Sequence, residues 1–387
     1  MPKKLTKPWM WAVWLGIGAV VVRAGAAFFA QRERQTPTQM IDWHMAQRTT
    51  RRLLPPMPNI AGASYQALVD DVAPAVAALT RLAVPADALQ VRVVDQHAWA
   101  EANIRAFARM LQPLEPTYAQ LMQHDTSDWG LSARHLNGKV AGIQSGALLS
   151  WMAGRVLGQY DVAFMHDDDA PGELLLVEPN ILRVATEQQV DVAALREWIV
   201  IHEVSHVFQF EGVPWLRPYM RTLLDRMLAT MIDHLRQPAD GLQGVALRLL
   251  QHQGSGNWIE LLLNESQRAV FDDLQAVMSL IEGHSNYVMN RLGAQRIPDF
   301  ATLHDRISQR QQHRPALDQL VLQMTGMHVK MAQYQQGEAF IQALVAHGGD
   351  ALVHTLWQSA AHIPTRDELG QPHRWIARVM AQVDHSK

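Results

Sequence analysis

The stretch Trp198-Ile-Val-Ile-His202-Glu203-Val-Ser-His206-Val-Phe-Gln-Phe210 decides how the chain is read. It is an apolar run that carries the pattern His-Glu-x-x-His. On a helix, residues four apart project from one face, so His202 and His206 can grip a single metal ion from adjacent turns. Glu203 is turned about 100° away from His202. That places its carboxylate beside such an ion rather than on it, where a general base would take a proton from a water at the metal. Ile199, Val200, Ile201, Val204, Val207 and Phe208 make this a buried helix. Neutral histidines in such a place need partners, and one metal ion supplies both.

A zinc site of the hydrolytic kind needs a third protein ligand and an open fourth position. The chain does not continue with a glycine at 209 and a histidine at 212; Gln209 and Gly212 stand there, so the third ligand comes from further along. Glu282 is the leading candidate. It lies in Met278-Ser-Leu-Ile-Glu282-Gly283-His284-Ser-Asn286-Tyr-Val-Met289, where a lone carboxylate among Leu280, Ile281 and Val288 would be costly without a partner. Gly283 beside it lets another helix backbone come close. Glu260 and Glu265 are competitors set in a more polar stretch.

Around this pair of helices lie further features: Ile41-Asp-Trp43, Asn103, Leu157-Gly-Gln-Tyr-Asp161, Val177-Glu-Pro-Asn180, Pro214-Trp-Leu216, Leu280-Ile-Glu-Gly-His284, Lys330, Gln333-Tyr334, Gly337, Leu356-Trp357, Pro364-Thr365 and Trp375. From about Ile41 to Arg378 the chain resembles a bacterial family of zincin-like, zinc-dependent metalloproteases, some of them associated with biosynthesis of the deazaflavin redox coenzyme. The resemblance implies a mainly α fold with a small β-sheet, a two-lobed metallohydrolase of gluzincin type. It also implies Zn²⁺ held by His202, His206 and Glu282, Glu203 as general base, and a peptide or protein substrate. Related sites often carry an acidic residue where this chain has Asn286, buttressing a histidine ligand; an asparagine still accepts a hydrogen bond but supplies no charge. Tyr334 and His284 are candidate donors to a developing oxyanion. His284, two residues after Glu282, faces about 200° away on the same helix, which favours packing.

The rival reading is a non-catalytic protein that keeps the fold, with zinc as a structural or partner-binding device. Glu203 argues against it, because a purely structural site has no use for a base. No nucleotide or flavin motif supports a role in coenzyme metabolism.

Composition bounds the rest. The 387 residues are 48% hydrophobic, enough for a substantial core, and a net charge of −3 gives no nucleic-acid footprint. The absence of cysteine excludes disulfides and thiolate metal sites. Residues 1–36 read as an added segment: Lys3, Lys4 and Lys7 precede the apolar Trp9 to Ala30, interrupted by Arg23. We read it as a single membrane anchor, with a cleaved signal or a soluble helix as alternatives. An N-terminal lobe of helices and short strands over 37–190 and a helical lobe over 191–387 are expected to follow.

Within the lobes, helices are expected over Asp42 to Leu54, Ser64 to Leu82 and Trp99 to Met122, with a strand at Val91 to Val94. Gly138, Gly142, Gly146, Ser150, Gly154 and Gly158 recur every four residues, as on a close helix-packing face. His166-Asp-Asp-Asp169 runs into a turn and reads as a solvated loop. Leu174 to Val177 reads as a short core or edge strand, a place where substrate backbone could pair. Further helices are expected over 241–252, 258–263, 268–292, 300–312, 317–324 and 327–347.

Overall fold

The computed structural model describes residues 39–56, 60, 64–122, 128–161, 172–236, 265–312 and 327–385. Trp9 to Ala30, the acidic loop at His166, and the helices expected over 241–252, 258–263 and 317–324 lie outside the described residues. Among the described residues no helix is long and apolar enough to cross a membrane. The fold is mainly helical with one small sheet.

The chain divides into two compact units, 1–56 with 100–154, and 57–99 with 155–387. The second therefore takes in all three strands, which lie before residue 190, together with the helices after it. In the first unit, α1 (Trp43–Leu53) starts at Asp42, whose carboxylate accepts from the Met45 N–H at 2.8 Å. It packs on α5 (Asp128–Ala153) at the glycine stripe. A Cβ on Gly138, Gly142 or Gly146 would come within 2.3–2.6 Å of a carbonyl oxygen of Gln39, Asp42 or Ala46. The stripe stops there, since Gly154 follows the helix and Gly158 belongs to a strand. The helix expected over Trp99 to Met122 is two, α3 (Gln96–Leu111) and α4 (Glu115–Met122), parted by a short turn containing Pro113.

The second unit holds α2 (Gln66–Thr80) and the sheet, in which β1 (Val91–Val94), β3 (Glu173–Val177) and β2 (Gly158–Asp161) lie in the order β1-β3-β2. β3 runs parallel to β1, pairing Val91 with Leu174, and antiparallel to β2, pairing Gly158 with Leu176. Leu174 to Val177 are fully buried, as an unbroken apolar run demands. β3 is thus the central strand, with both backbone edges in use, so it offers no free edge for a substrate to pair with; the outer strands are β1 and β2.

After β3 come α6 (Glu178–Gln188) and α7 (Val192–Gly212), the helix of the His-Glu-x-x-His pattern. Asp191 caps α7 by accepting from the Ala194 N–H at 2.8 Å. Leu195, Ile199, Val200, Ile201, Val204 and Val207 bury it on all sides. Val213-Pro214 ends it and α8 (Leu216–Arg236) begins. Then α9 (Glu265–Arg296), α10 (Phe300–Gln312) and α11 (Met327–Thr355) follow, with α12 (Arg366–Gly370) and α13 (Pro372–His385) closing the chain.

The crossing of α9 and α11 is set by two glycines. A Cβ on Gly337 would lie 1.9 Å from the Ser279 carbonyl oxygen, and one on Gly283 would lie 2.2 Å from the Gly337 carbonyl carbon. Neither contact is with a side chain that could swing away. Gly337→Ala is expected to destabilise the protein by roughly 1–3 kcal/mol in urea unfolding. Gly370→Ala, with no atom within 4 Å of the new methyl, should be close to neutral.

Candidate metal centre

The two histidines and Glu282 meet in the second unit because α7 and α9 pack side by side. His202 and His206 sit one turn apart on α7, and the Ile281 carbonyl beside Glu282 on α9 is bonded to Gln209 of α7 at 2.9 Å. The ligand atoms of His202, His206 and Glu282 all lie within 4.8 Å of one another. His202 Nε2 and His206 Nε2 are 3.1 Å apart, and Glu282 Oε2 is 3.6 and 3.8 Å from them. Two donors on a tetrahedral zinc at about 2.0–2.1 Å stand about 3.3 Å apart, so two imidazoles and a carboxylate in this arrangement fit such an ion. They would form three corners of its coordination sphere.

Glu203 is 7% exposed and lies against β2. A Cβ on Gly158 would be 2.7 Å from Glu203 Cγ, so the strand carries glycine where the carboxylate packs. The Tyr160 N–H donates to that carboxylate. Burial pushes the Glu203 pKa up to about 7, helped by the Glu282 charge and opposed by His206 and the Tyr160 N–H. The result is a carboxyl near its titration point at neutral pH, held beside the cluster and not in it.

His206 is held from behind by groups that sequence reasoning did not single out. Its Nδ1 is 2.9 Å from Gln209 Oε1 and 3.2 Å from Ser285 Oγ. Both partners are fully buried. The signal for Gln209 was its place in Val-Phe-Gln-Phe: an amide inside a helix with no solvent face must bond to something internal. Asn286, expected in the buttressing role, is half-buried and makes no side-chain hydrogen bond among the described residues; the preceding Ser285 faces α7 instead. His202 Nδ1 is buried without a hydrogen-bond partner among the described residues.

His284 does not face the ligand cluster. Its Nδ1 is 3.0 Å from Gln209 Nε2, and Trp357 Nε1 approaches its Nε2 at 3.3 Å. Both ring nitrogens face donors on other side chains, of which a neutral imidazole can accept from only one, and the side chain is 1% exposed, which fits packing and not an oxyanion donor. Tyr334 falls within α11, but its side chain lies outside the described residues.

A model of the family described as zincin-like metallopeptidase matches residues 41–376. The chain belongs to the zincin-like metallopeptidases. A crystal structure from Chloroflexus aurantiacus, described as a candidate hydrolase with a novel fold, is 35% identical over 88% of this chain and 98% of that one, with a TM-score of 0.65. No curated protein matches the chain. This zincin-like chain thus shares its fold with a solved relative of nearly the same extent.

Burial, with the charges of His354 and His206 adding to it, lowers the His284 pKa from an ordinary 6.5 to about 3. Between those values the unfolded chain binds a proton that the folded chain refuses, so stability is complete above about pH 6.5 and falls as the pH drops. One proton contributes about 1.4 kcal/mol per pH unit. Urea unfolding should therefore show about 2 kcal/mol lost to this residue by pH 5. The His284 ring resonances should not titrate between pH 8 and 4.5; a midpoint near 6 would contradict the buried, neutral imidazole.

Proposed function

We propose that this zincin-like chain is a zinc-dependent metallohydrolase that cleaves peptide bonds, with His202, His206 and Glu282 as metal ligands and Glu203 as general base. The observation that carries the reading is the convergence of those three ligand atoms within 4.8 Å, with a buried carboxyl of raised pKa beside them. A purely structural site would gain nothing from Glu203, whose burial costs free energy unless the charge is put to use.

Zinc in this site would lower the pKa of a water and polarise the substrate carbonyl. The chain's own residues do the rest. The Tyr160 N–H steadies the Glu203 carboxylate, which receives the proton of the attacking water and returns it to the departing amine. Gln209 and Ser285 keep His206 from turning.

The open edge of β2 suits an extended peptide. The Val177 N–H bonds to the Leu157 carbonyl at 2.8 Å, so Leu157, Gln159 and Asp161 direct their backbone groups to β3. By the two-residue period of a strand, Gly158 and Tyr160 direct theirs away from it. The Tyr160 N–H is taken by Glu203. The Gly158 N–H and C=O and the Tyr160 C=O are the groups an incoming strand could meet, next to the base.

The reading is tested by metal analysis and a peptide-library cleavage assay on wild type, Glu203→Gln, His206→Ala and Glu282→Ala. About one zinc per chain is expected in wild type and in Glu203→Gln, with loss of zinc in the other two. Turnover in Glu203→Gln should fall at least about a hundredfold. Undiminished cleavage by that variant would remove Glu203 from the mechanism. Zinc retained in both ligand variants would place the metal elsewhere.

A further inference from the structure

Gln209 sits three residues after His206 on α7 and is fully buried. All four of its hydrogen-bonding positions are in use: Oε1 faces His206 Nδ1 at 2.9 Å and Ser285 Oγ at 3.2 Å, while Nε2 faces the Ile281 carbonyl at 2.9 Å and His284 Nδ1 at 3.0 Å. An amide's oxygen and nitrogen are nearly the same in shape, so the orientation must be fixed by a partner that cannot change roles. The Ile281 carbonyl is that partner, because it has lone pairs and no proton. Nε2 must point at it, and Oε1 then points at His206.

Oε1 has no proton to give, so His206 Nδ1 must carry one. A neutral imidazole has a single N–H, and its Nε2 is then bare. Ser285 Oγ is the competitor, 3.2 Å from the same Nδ1. Were the serine to donate there, Nδ1 and Oε1 would face each other with lone pairs at 2.9 Å, so its proton goes to Oε1 instead.

We propose that Gln209 is a positioning residue that fixes His206 in the tautomer whose bare Nε2 faces His202 and Glu282. Through the Ile281 carbonyl it also ties α7 to the turn of α9 that carries Glu282. The consequence for zinc rests on the metallohydrolase reading; the consequence for the tautomer does not.

The test uses the full chain and two measurements: side-chain ¹⁵N NMR of His206 in the metal-free protein, and zinc affinity by competition with a chromogenic chelator. Wild type should show a proton on Nδ1. Gln209→Met should populate the Nε2–H form and weaken zinc roughly 10- to 100-fold. Ser285→Ala should keep the Nδ1 proton. Gln209→Glu keeps the acceptor and the volume but loses the donor to the Ile281 carbonyl, so it should keep the Nδ1 proton at some cost in stability and serves if the methionine variant does not fold. An unchanged tautomer and unchanged zinc affinity in Gln209→Met, whatever its melting temperature, would reduce Gln209 to a packing residue and overturn the proposal. Loss of the Nδ1 proton in Ser285→Ala, or in Gln209→Glu, would overturn it as well. A shifted tautomer in Gln209→Met, together with a wild-type protein that takes up no zinc, would uphold the positioning role while removing the hydrolase reading.

Discussion

A helix buried on every side has no solvent for its polar side chains, and each must find a partner inside the protein. The metal helix is such a case: Glu203, Ser205, His206 and Gln209 are all buried in it. Ser205 turns its hydroxyl back to the Ile201 carbonyl at 2.7 Å and is satisfied within the helix. The others cannot be satisfied so locally. Glu203 reaches the edge strand, Gln209 reaches the glutamate helix, and His206 is held between Gln209 and the ligand cluster. The arrangement around the site follows from satisfying these three groups at once.

The same constraint explains the two charged clamps at the ends of that helix. Towards its start, Arg196 bonds to the buried Glu178, which also accepts from the Tyr65 hydroxyl. Towards its end, Glu211 takes Arg217 and the Tyr160 hydroxyl. Pairs like these are weak evidence for net stability, because removing two charges from water offsets much of their attraction. Their geometry matters more. One clamp joins the helix to the segment after β3, and the other joins it to β2, so the helix cannot slide along the sheet without leaving a charge alone.

How much of this was legible in the sequence follows from the range of the interactions. Residues four apart on one helix share a face whatever the tertiary structure, so His202, Glu203 and His206 could be placed from spacing alone. Glu282 was legible for a second reason: a carboxylate next to Gly283 in an apolar helix marks a place where a backbone comes close, and Gly337 supplies that backbone. The edge strand was not legible. Gly-Gln-Tyr-Asp has no apolar alternation, and it is a strand because Glu173 to Leu176 pair with it. The apolar run of β3 was read correctly as a strand, but no pattern within it says whether one side or both are paired. Asn286 was favoured over its neighbour because family patterns count positions along a helix, whereas the packing of α9 turns Ser285 towards α7.

The buried carboxyl of Glu203 and the edge strand are a single device in this fold. The pKa of Glu203 is raised by burial and held down first by the neighbouring His206 charge and then by one donor, the Tyr160 N–H. A side-chain donor would bring its own volume into the cleft. A backbone N–H does not, provided that the strand comes close enough, and the strand comes close because Gly158 has no Cβ to collide with Glu203. Tyr160 then ties that strand to the same helix a second time, through Glu211 and its partner Arg217. Its hydroxyl also accepts from the Gly172 N–H at 2.9 Å, just before β3 begins. The tyrosine thus acts on Glu203 through its main chain while its ring, against Phe210 of the metal helix, fixes where that main chain lies.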